Sequence, residues 1–379
     1  MMFKKIAGAM CLAVLTATTV QAEGLKVGMI TTLSGGGAGL GIDVRDGFML
    51  AVKQSGRDDI EVVVEDDQRK PDIAVQLADK LIQQEKVDVM TGLIWSNIAM
   101  AVAPAATAQG KFYISPNAGP SVLAGRGCDK NYFNVAWQND VLNEAAGNWA
   151  SENGVEKVFL MAPNYPAGKD MIAGFKRFYK GEIASEIYTK LGQTDYAAEI
   201  AQMKASDADT IYYFLPGGMG ISFMKQYAGS GAEKPVMGPA FSFDQGILGA
   251  IGEAALGVKN TSHWSKDLDN PANNAFVADF QAEFDRIPSI YASQGFDTAL
   301  LLISAMEKAD VKDADAFRAA LEAADFESTR GDFKFSANHH PIHTIYMREV
   351  VKEGDIVTNK VIGVAAKDHA DSYVSECKM

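Results

Sequence analysis

The stretch LKVGMITTLSGGGAG, residues 25–39, sets the class of fold. Its first eight residues form a short, mostly apolar run typical of a buried strand, and the glycines after residue 34 indicate a tight loop. From about Asp43 onward, apolar side chains recur at helical spacing, which predicts a helix. A strand joined to a helix by a short loop is the repeating unit of a parallel α/β sheet.

The same alternation continues through the first third of the chain. Strands are predicted over residues 60–65, 87–93 and 112–115, and helices over 71–84 and 97–108. This order, with short connections, is typical of a sheet that helices cover on both faces.

A second series of alternating elements begins after residue 140. Its predicted strands are 157–162, 183–188, 210–214 and 235–237, and its predicted helices are 141–152, 167–179, 196–204 and 219–228. Three further helices are predicted over 274–286, 292–308 and 314–323, and strands within 330–366, including 332–335 and 345–351. We therefore predict the α/β class, with two doubly wound parallel-sheet lobes.

The first 22 residues have the pattern of a cleaved signal peptide. Two lysines precede an apolar run over residues 6–20, and Ala22 is the small residue expected before a cleavage site. The run is too short to span a bilayer, and no later stretch approaches about 18 uninterrupted apolar residues. We therefore predict an exported, soluble protein. Lipidation at Cys11 is the alternative, but Met10 stands where a small residue is required.

The composition excludes several classes of partner. The chain has 379 residues, of which 47% are hydrophobic, so it is long and apolar enough for large cores. Loss of the leader, with its two lysines and no acid, lowers the formal net charge from −13 to −15. Nucleic acids and anionic membrane surfaces are bound through basic patches, so neither is an expected partner.

Two cysteines, Cys128 and Cys377, remain after the leader. In an oxidising compartment we expect this pair to be bridged, which would tie the C-terminal tail to the middle of the chain. The alternative is two buried thiols that lie far apart.

The patterns of phosphate and metal sites are incomplete. The glycines of residues 35–41 match neither G-x-G-x-x-G nor the P-loop, so we interpret this loop as a flexible rim that lets backbone approach a ligand. His339, His340 and His343 form a cluster beside a proline, which we interpret as a solvated turn and not as a zinc site. We expect no metal and no cofactor.

Catalytic constellations are also missing from the sequence. No G-x-S-x-G motif occurs, and we expect the isolated His263 to pack or to gate. Asp66 and Asp67 follow a predicted strand without a second carboxylate pair, so we interpret them as solvated or capping residues. We therefore predict a protein without enzymatic activity.

The loops that follow the predicted strands are the expected ligand site. In parallel sheets these loops gather at the carboxyl edge, and two facing lobes bring both sets to one cleft. They contain aromatic, amide, hydroxyl and glycine residues and almost no charge, and they span residues 33–40, 95–97, 116–119, 163–165, 215–218 and 239–243.

Four motifs carry a family resemblance: KVGMITTLSG at 26–35, DVRDGFMLAV at 43–52, FYISPNAGP at 112–120 and APNYPAGKDM at 162–171. Together with the leader, they resemble the periplasmic solute-binding proteins of ABC importers, in the branch that includes the leucine/isoleucine/valine-binding proteins. The resemblance spans essentially the whole mature chain. It implies a type I binding fold that closes over one small ligand, a periplasmic location, a monomer, and an ABC permease in the inner membrane as partner.

The resemblance also implies how the chain is divided. One lobe is expected to comprise residues 23–135 with 262–335, and the other residues 136–261 with 336–379. Three crossovers between the lobes are expected near 133–137, 257–263 and 329–346.

The chain departs from the pattern of the amino-acid binders in that family. Those proteins hold the ligand carboxylate with a Ser/Thr-rich loop and an A-T pair, and the ammonium with a Glu in G-P-E. Here the corresponding residues are WSN at 95–97, AG at 118–119 and GPA at 238–240, and the last has no carboxylate. Because a buried ammonium without a carboxylate costs several kcal/mol, an α-amino acid is disfavoured.

The residues present instead suit an aromatic carboxylate of the benzoate, hydroxybenzoate or phenylpropenoate kind. Aromatic side chains offer flat walls, while hydroxyl, amide and backbone N–H groups of residues 96–97 and 118–119 offer donors. TGLIWSNIAMAV at 91–102 also resembles the subgroup associated with lignin-derived aromatic acids. The predicted ligand-binding residues are Leu40, Trp95, Ser96, Asn97, Asn117, Ala118, Gly119, Tyr165, Leu215, Ala240, Phe241 and Phe243.

Three alternatives stay open at this point. The same fold could bind a branched-chain or other amino acid, if an acid such as Asp244 entered the cleft. The protein could be a ligand sensor that signals to a membrane receptor. It could also be a secreted hydrolase, although a nucleophile, a base and an orienting group cannot be assembled from its motifs. For each aromatic residue, core packing is the alternative role.

Overall fold

The structure is a computed structural model that describes residues 24–379. The predicted signal peptide therefore lies outside the described residues. Among residues 24–379, no helix combines the length and the apolar character that a bilayer crossing requires.

The first sheet is built by alternating strands and helices from the N-terminal part of the described chain. In order, they are β1 (Leu25–Thr31), α1 (Ala38–Gln54), β2 (Ile60–Asp66), α2 (Pro71–Gln83), β3 (Val89–Thr91), α3 (Ser96–Ala108), β4 (Phe112–Ser115), α4 (Ser121–Ala124) and β5 (Tyr132–Asn134). All pairs in this five-stranded sheet are parallel, in the order β2-β1-β3-β4-β5.

The next part of the chain repeats this arrangement. Its elements are α5 (Val141–Glu152), β6 (Lys157–Pro163), α6 (Pro166–Phe178), β7 (Glu182–Thr189), α7 (Ala197–Ala205), β8 (Thr210–Tyr213), α8 (Gly218–Gly229), β9 (Val236–Pro239), α9 (Gln245–Ile251) and β10 (Lys259–Ser262). Its five strands are parallel in the order β7-β6-β8-β9-β10, which is the same topology as in the first sheet.

The C-terminal part of the chain adds to both lobes. It comprises α10 (Pro271–Phe284), α11 (Ile290–Met306), α12 (Ala314–Ala323), β11 (Lys334–Phe335), β12 (Pro341–Glu353) and β13 (Ile356–His369). Helix α11 packs along α1 of the first lobe. Strands β11, β12 and β13 extend the second sheet, and β12 pairs antiparallel with β10 and with β13. The α/β fold with two lobes is confirmed, whereas the lobe boundaries remain a prediction.

The C-terminal tail is fastened to the first lobe by a disulfide between Cys128, just after α4, and Cys377. The predicted bridge is therefore confirmed. Near it, Tyr373 donates a hydrogen bond from its hydroxyl to Asp140, at 2.9 Å. The tail thus runs from the edge strand of the second sheet back to the first lobe.

One local prediction was wrong. Helix α1 begins at Ala38 and not near Asp43, because Leu40 shares the buried face of Val44 and Phe48, and this burial outweighs the low helix propensity of the glycines. The loop before it is correspondingly short, with a 3₁₀ turn over Gly35–Gly37, and its flexibility remains a prediction.

The histidine turn is buried, not solvated as predicted. The rings of His339 and Phe133 stack with centroids 4.0 Å apart, and the carbonyl oxygen of His339 accepts a hydrogen bond from the N–H of Asn134 at 2.9 Å. His340 and His343 are also buried. The sequence pattern could not reveal this because the contacts come from β5, some 200 residues earlier. Within residues 24–379, no group of three or more His, Cys, Asp or Glu side chains could hold a metal ion.

Candidate functional site

Each sheet has a switch point, where the strand order changes direction: between β1 and β3, and between β6 and β8. Ligands of open parallel sheets bind outside the carboxyl ends of strands at such points. At the first, Trp95 donates a hydrogen bond from its Nε1 to Oγ1 of Thr32, at 2.9 Å. At the second, the rings of Tyr165 and Phe214 stack with centroids 6.3 Å apart.

The two switch points face each other across the cleft. The ring centroids of Trp95 and Tyr165 are 6.3 Å apart, and the ring planes are tilted by 58°. Both side chains are buried, with 2% and 8% of their surface exposed. Aromatic residues of both lobes therefore form facing walls.

These rings border a narrow cavity, with about 20 Å³ open to the centre of a water-sized sphere. Its lining is mostly aromatic and aliphatic, with two asparagines and one serine, and consists of Leu40, Ile94, Trp95, Ser96, Asn117, Ala118, Trp137, Asn139, Tyr165, Ala167, Met171, Phe214, Pro216, Phe241 and Tyr291. None of these residues carries a formal charge. The cavity is therefore suited to a flat, mostly apolar molecule.

Seven of the predicted site residues line the cavity: Leu40, Trp95, Ser96, Asn117, Ala118, Tyr165 and Phe241. The other five lie outside the lining. Asn97 is the second residue of α3, and Gly119 packs against the carbonyl oxygen of Trp137. Leu215 and Ala240 are fully buried, and Phe243 packs edge-on against Tyr213 with centroids 5.3 Å apart. Which of the twelve residues contact a ligand remains a prediction.

Sequence reasoning missed several lining residues. Trp137 and Asn139 follow β5, inside or just after the first expected crossover, so attention to crossover residues would have found them. Phe214 lies directly before the predicted site loop 215–218, of which Pro216 lines the cavity. Tyr291 had no local signal, because it reaches the cavity only through the packing of α11 on the first lobe.

Hydrogen bonds join the lobes beside the cavity. Asn139 donates from its Nδ2 to the Oγ of Ser96 at 3.1 Å and to Oδ2 of Asp170 at 2.9 Å. The same carboxylate oxygen accepts the backbone N–H of Ser121 at 3.0 Å. Burial raises the pKa of Asp170, and the hydrogen bonds from Ser121 and Asn139 oppose that rise.

The cavity wall contains polar atoms without a partner. Nε1 of Trp137 and Oδ1 of Asn117 are both buried and form no hydrogen bond within residues 24–379. Helix α3 begins next to the cavity at Ser96, and no side chain caps its first N–H groups, whereas the N–H of Ile98 bonds to the carbonyl oxygen of Trp95 at 3.0 Å. The predicted donor at Ala118 is different, because its N–H is taken by the carbonyl oxygen of Leu93 at 3.3 Å.

Asp244 and Asp67, two acids considered as site residues from the sequence, make hydrogen bonds away from the cavity. Asp244 accepts backbone N–H groups from Gly246 at 2.9 Å and from Ile290 at 3.0 Å, and burial raises its pKa to about 6. Asp67 is fully buried and not solvated. Neither side chain lines the cavity.

His263 lies behind the cavity wall. Its ring is 5.5 Å from that of Trp137 and 5.0 Å from that of His343, measured between centroids. Burial lowers its pKa well below the ordinary value, so the imidazole is neutral near pH 7. It therefore supports the wall of the cavity and is not part of its lining.

The rim of the cavity is closed by contact between the lobes. Gly217, with φ of 61°, precedes α8, and a Cβ added there would lie 3.0 Å from Cδ1 of Leu40. Gly217 thus allows the second lobe to approach the first closely.

A family model described as periplasmic binding protein matches residues 24–355. The chain belongs to the periplasmic binding protein family. It is a solute-binding protein of an ABC transporter, and the resemblance found in its motifs is thereby confirmed.

Other members of the periplasmic binding protein family resemble it over nearly their full length. An ABC transporter solute-binding protein from R. palustris in complex with benzoate has a TM-score of 0.90 and 34% identity, covering 94% of this chain and 100% of that one. One from Rhodopseudomonas palustris BisB5 in complex with 3,4-dihydroxybenzoic acid has a TM-score of 0.83 and 31% identity, covering 91% and 99%. A Leu/Ile/Val-binding protein homolog of Brucella melitensis is 28% identical, covering 93% and 94%.

Proposed function

We propose that this periplasmic binding protein captures a small aromatic carboxylate between its lobes and delivers it to an ABC permease in the inner membrane. The observation that carries the proposal is the uncharged cavity between Trp95 and Tyr165, whose wall includes the unpartnered Nε1 donor of Trp137. The chain would act in the periplasm, after loss of its signal peptide, as a monomer that binds without turnover.

The walls suit a benzene ring. Trp95 and Phe241 belong to different lobes and both line the cavity, as does Tyr165. Stacked or edge-on aromatic pairs contribute roughly 0.5–1.5 kcal/mol each beyond the burial of apolar area. Two or three such contacts, together with burial of the ring, would supply much of the free energy of micromolar binding, which is about −8 kcal/mol.

The polar atoms suit a carboxylate at one end of that ring. Ser96 lies in the first turn of α3, and its Oγ accepts a hydrogen bond from Asn139 while its own proton stays free to donate. The uncapped N–H groups of α3 and the partial positive charge of the helix N-terminus favour an anion. Trp137 Nε1 adds a neutral donor in the same lining.

An α-amino acid is a poorer match. Its ammonium would need a carboxylate, and the lining of the cavity has none. Asp170, beside the cavity, and Asp244 each already accept two hydrogen bonds from other groups of the protein. The relatives in complex with benzoate and 3,4-dihydroxybenzoic acid, at 34% and 31% identity, give further support.

Calorimetric titration tests this proposal. The purified protein is unfolded and refolded to remove any bound ligand, then titrated with benzoate, 4-hydroxybenzoate, 4-hydroxycinnamate, leucine and phenylalanine. We expect at least one aromatic acid to bind with a Kd of about 1 µM, near −8 kcal/mol.

Two comparisons separate the ring from the charges. Cyclohexanecarboxylate keeps the carboxylate but not the aromatic ring, and phenylalanine adds an ammonium; both should bind more weakly than the best aromatic acid. Binding of leucine at micromolar Kd, with no heat from any aromatic acid, would refute the proposal in favour of an amino-acid binder.

A further inference from the structure

Arg69 lies where the two lobes meet at the mouth of the cleft. It belongs to the loop between β2 and α2, and its guanidinium carbon is 5.5 Å from the centroid of the Trp95 ring. On its other side is Gly192, in the loop after β7 of the second lobe. A Cβ added at Gly192 would lie 2.9 Å from Nη2 of Arg69. The guanidinium is therefore held between one lobe's tryptophan and the other lobe's backbone.

The loop that carries Arg69 is built to hold it there. Arg69 has φ of 59°, a left-handed conformation unusual for a side chain of this size. The buried carboxylate of Asp67 stabilises it by accepting the N–H of Arg69 at 2.7 Å through Oδ1. The same oxygen accepts the hydroxyl of Thr32 at 2.7 Å, and Thr32 Oγ1 accepts Nε1 of Trp95. One buried carboxylate thus fixes both the arginine loop and the tryptophan.

The charge of Arg69 is not neutralised locally. Within the part of the chain that the structure describes, its guanidinium has no carboxylate in salt-bridge or hydrogen-bond contact. The guanidinium packs on Trp95, whose ring also lines the uncharged cavity. Cations over an indole face are attracted by the ring, and this position costs the arginine little of its hydration.

We propose that Arg69 is an interlobe latch that also sets the charge selectivity of the cleft, favouring anionic ligands over neutral ones. The charge selectivity rests on the proposed function, because it concerns the ligand proposed there. The contact between the lobes does not depend on it. Arg69 is a positioning residue. Its charge acts on the ligand carboxylate over a distance, and its guanidinium packs on Trp95, which lines the cavity. A unit charge about 10 Å from a carboxylate, at an effective dielectric constant of about 20, corresponds to a preference of roughly tenfold.

The first test compares benzoate with its neutral isostere benzamide in calorimetry. Arg69→Gln should weaken benzoate about tenfold and benzamide less than threefold, and Arg69→Lys should retain most of the benzoate affinity because it keeps the charge. Lys70→Gln is the control, since Lys70 is the exposed neighbouring cation and contacts only Gln68 through its amine. Equal losses for benzoate and benzamide would overturn the charge selectivity.

The second test examines the latch without any ligand. Hydrogen exchange of residues 189–196 should become several-fold faster in Arg69→Gln than in the wild type or in Lys70→Gln. Gly192→Ala should also speed exchange, because its new methyl group displaces the guanidinium. Gly231→Ala is the matched control, since Gly231 also has a positive φ, 68°, but open space around it.

The two glycine variants separate the latch from backbone strain. In the Arg69→Gln background no guanidinium is left to displace, so Gly192→Ala should speed exchange of residues 189–196 no more than Gly231→Ala speeds exchange of its own loop. Unchanged exchange in Arg69→Gln would overturn the latch. If the wild type binds leucine and no aromatic acid, the proposed function fails, and the exchange results alone then support or overturn the role of Arg69.

Discussion

The rings of Trp137 and Phe241 lie with centroids 4.1 Å apart and planes tilted by 45°. Trp137 follows β5 of the first sheet, and Phe241 follows β9 of the second. This contact packs the indole ring of Trp137 against Phe241, while its Nε1 has no hydrogen-bond partner within residues 24–379. A buried indole N–H is costly to leave unsatisfied, which is why we assign it to the ligand.

Trp137→Phe should therefore weaken benzoate binding by about tenfold, because hydrogen bonds to charged groups contribute roughly 1.5–3 kcal/mol. The free energy of unfolding of the ligand-free protein should fall much less, since the variant keeps a ring against Phe241. Calorimetry and urea unfolding measure the two effects. Trp149→Phe, at a partly buried tryptophan of α5 that does not line the cavity, is the control. Unaltered benzoate affinity in Trp137→Phe would remove this donor from the site.

Tyr165 is expected to act through its ring and not its hydroxyl. The hydroxyl forms no hydrogen bond with another of residues 24–379, whereas the ring faces both Trp95 and Phe214. Tyr165→Phe should bind benzoate within about threefold of the wild type, and Tyr165→Ala should lose a factor of 10 or more because a stacked wall is removed. Similar affinities in all three proteins would show that the ring does not contact the ligand.

The pH dependence of stability should report on Asp244. Burial raises its pKa from 3.8 to about 6, so the folded protein retains a proton that the unfolded chain has released. The stabilisation is fully present below pH 4 and is lost as the pH rises through 6. Relative to Asp244→Asn, the wild type should lose up to about 3 kcal/mol in free energy of unfolding between pH 4 and 7.

This difference is measured by urea unfolding of the ligand-free proteins across that pH range. The amide of Asp244→Asn cannot accept both backbone N–H groups as the carboxylate does, which lowers the free energy of unfolding by the same amount at every pH. This constant difference cancels when only the slopes of the free energy of unfolding against pH are compared. Parallel pH profiles for wild type and Asp244→Asn would mean that the carboxylate titrates normally in the folded state.

The disulfide should stabilise the fold without affecting the ligand. It closes a loop between residues 249 positions apart, and cross-links of this kind contribute about 2–5 kcal/mol. The double variant Cys128→Ser/Cys377→Ser should therefore unfold at lower urea concentration and bind benzoate with the same Kd. Two titratable thiols in the unfolded, unreduced wild type would contradict the bridge.

The sequence predicted the loops of the site because their positions follow from strand order. Trp95 and Tyr165 stand directly after predicted strands, and parallel sheets bring such residues to one edge. Tyr291 could not be predicted, since it depends on which lobe α11 packs against. The hydrogen bond from the N–H of Ala118 to the carbonyl oxygen of Leu93 could not be predicted either, because a single backbone hydrogen bond does not affect composition or periodicity.

Burial was harder to predict than secondary structure. Asp67 was interpreted as a solvated or capping residue and His339 as part of a solvated turn, yet both are buried. Asp67 is retained inside by hydrogen bonds from Thr32 and from a backbone N–H, and His339 by stacking on Phe133. Such partners are distant in sequence, and a single chain gives no sign of them.

The close approach of Gly217 to Leu40 narrows the mouth of the cavity while the lobes touch. Release of the ligand then requires the lobes to move apart. The residence time of the ligand therefore depends on the hinge between the lobes as much as on the contacts around the ligand. A membrane complex that separates the lobes would control when the ligand is released, without binding to the ligand-contacting residues.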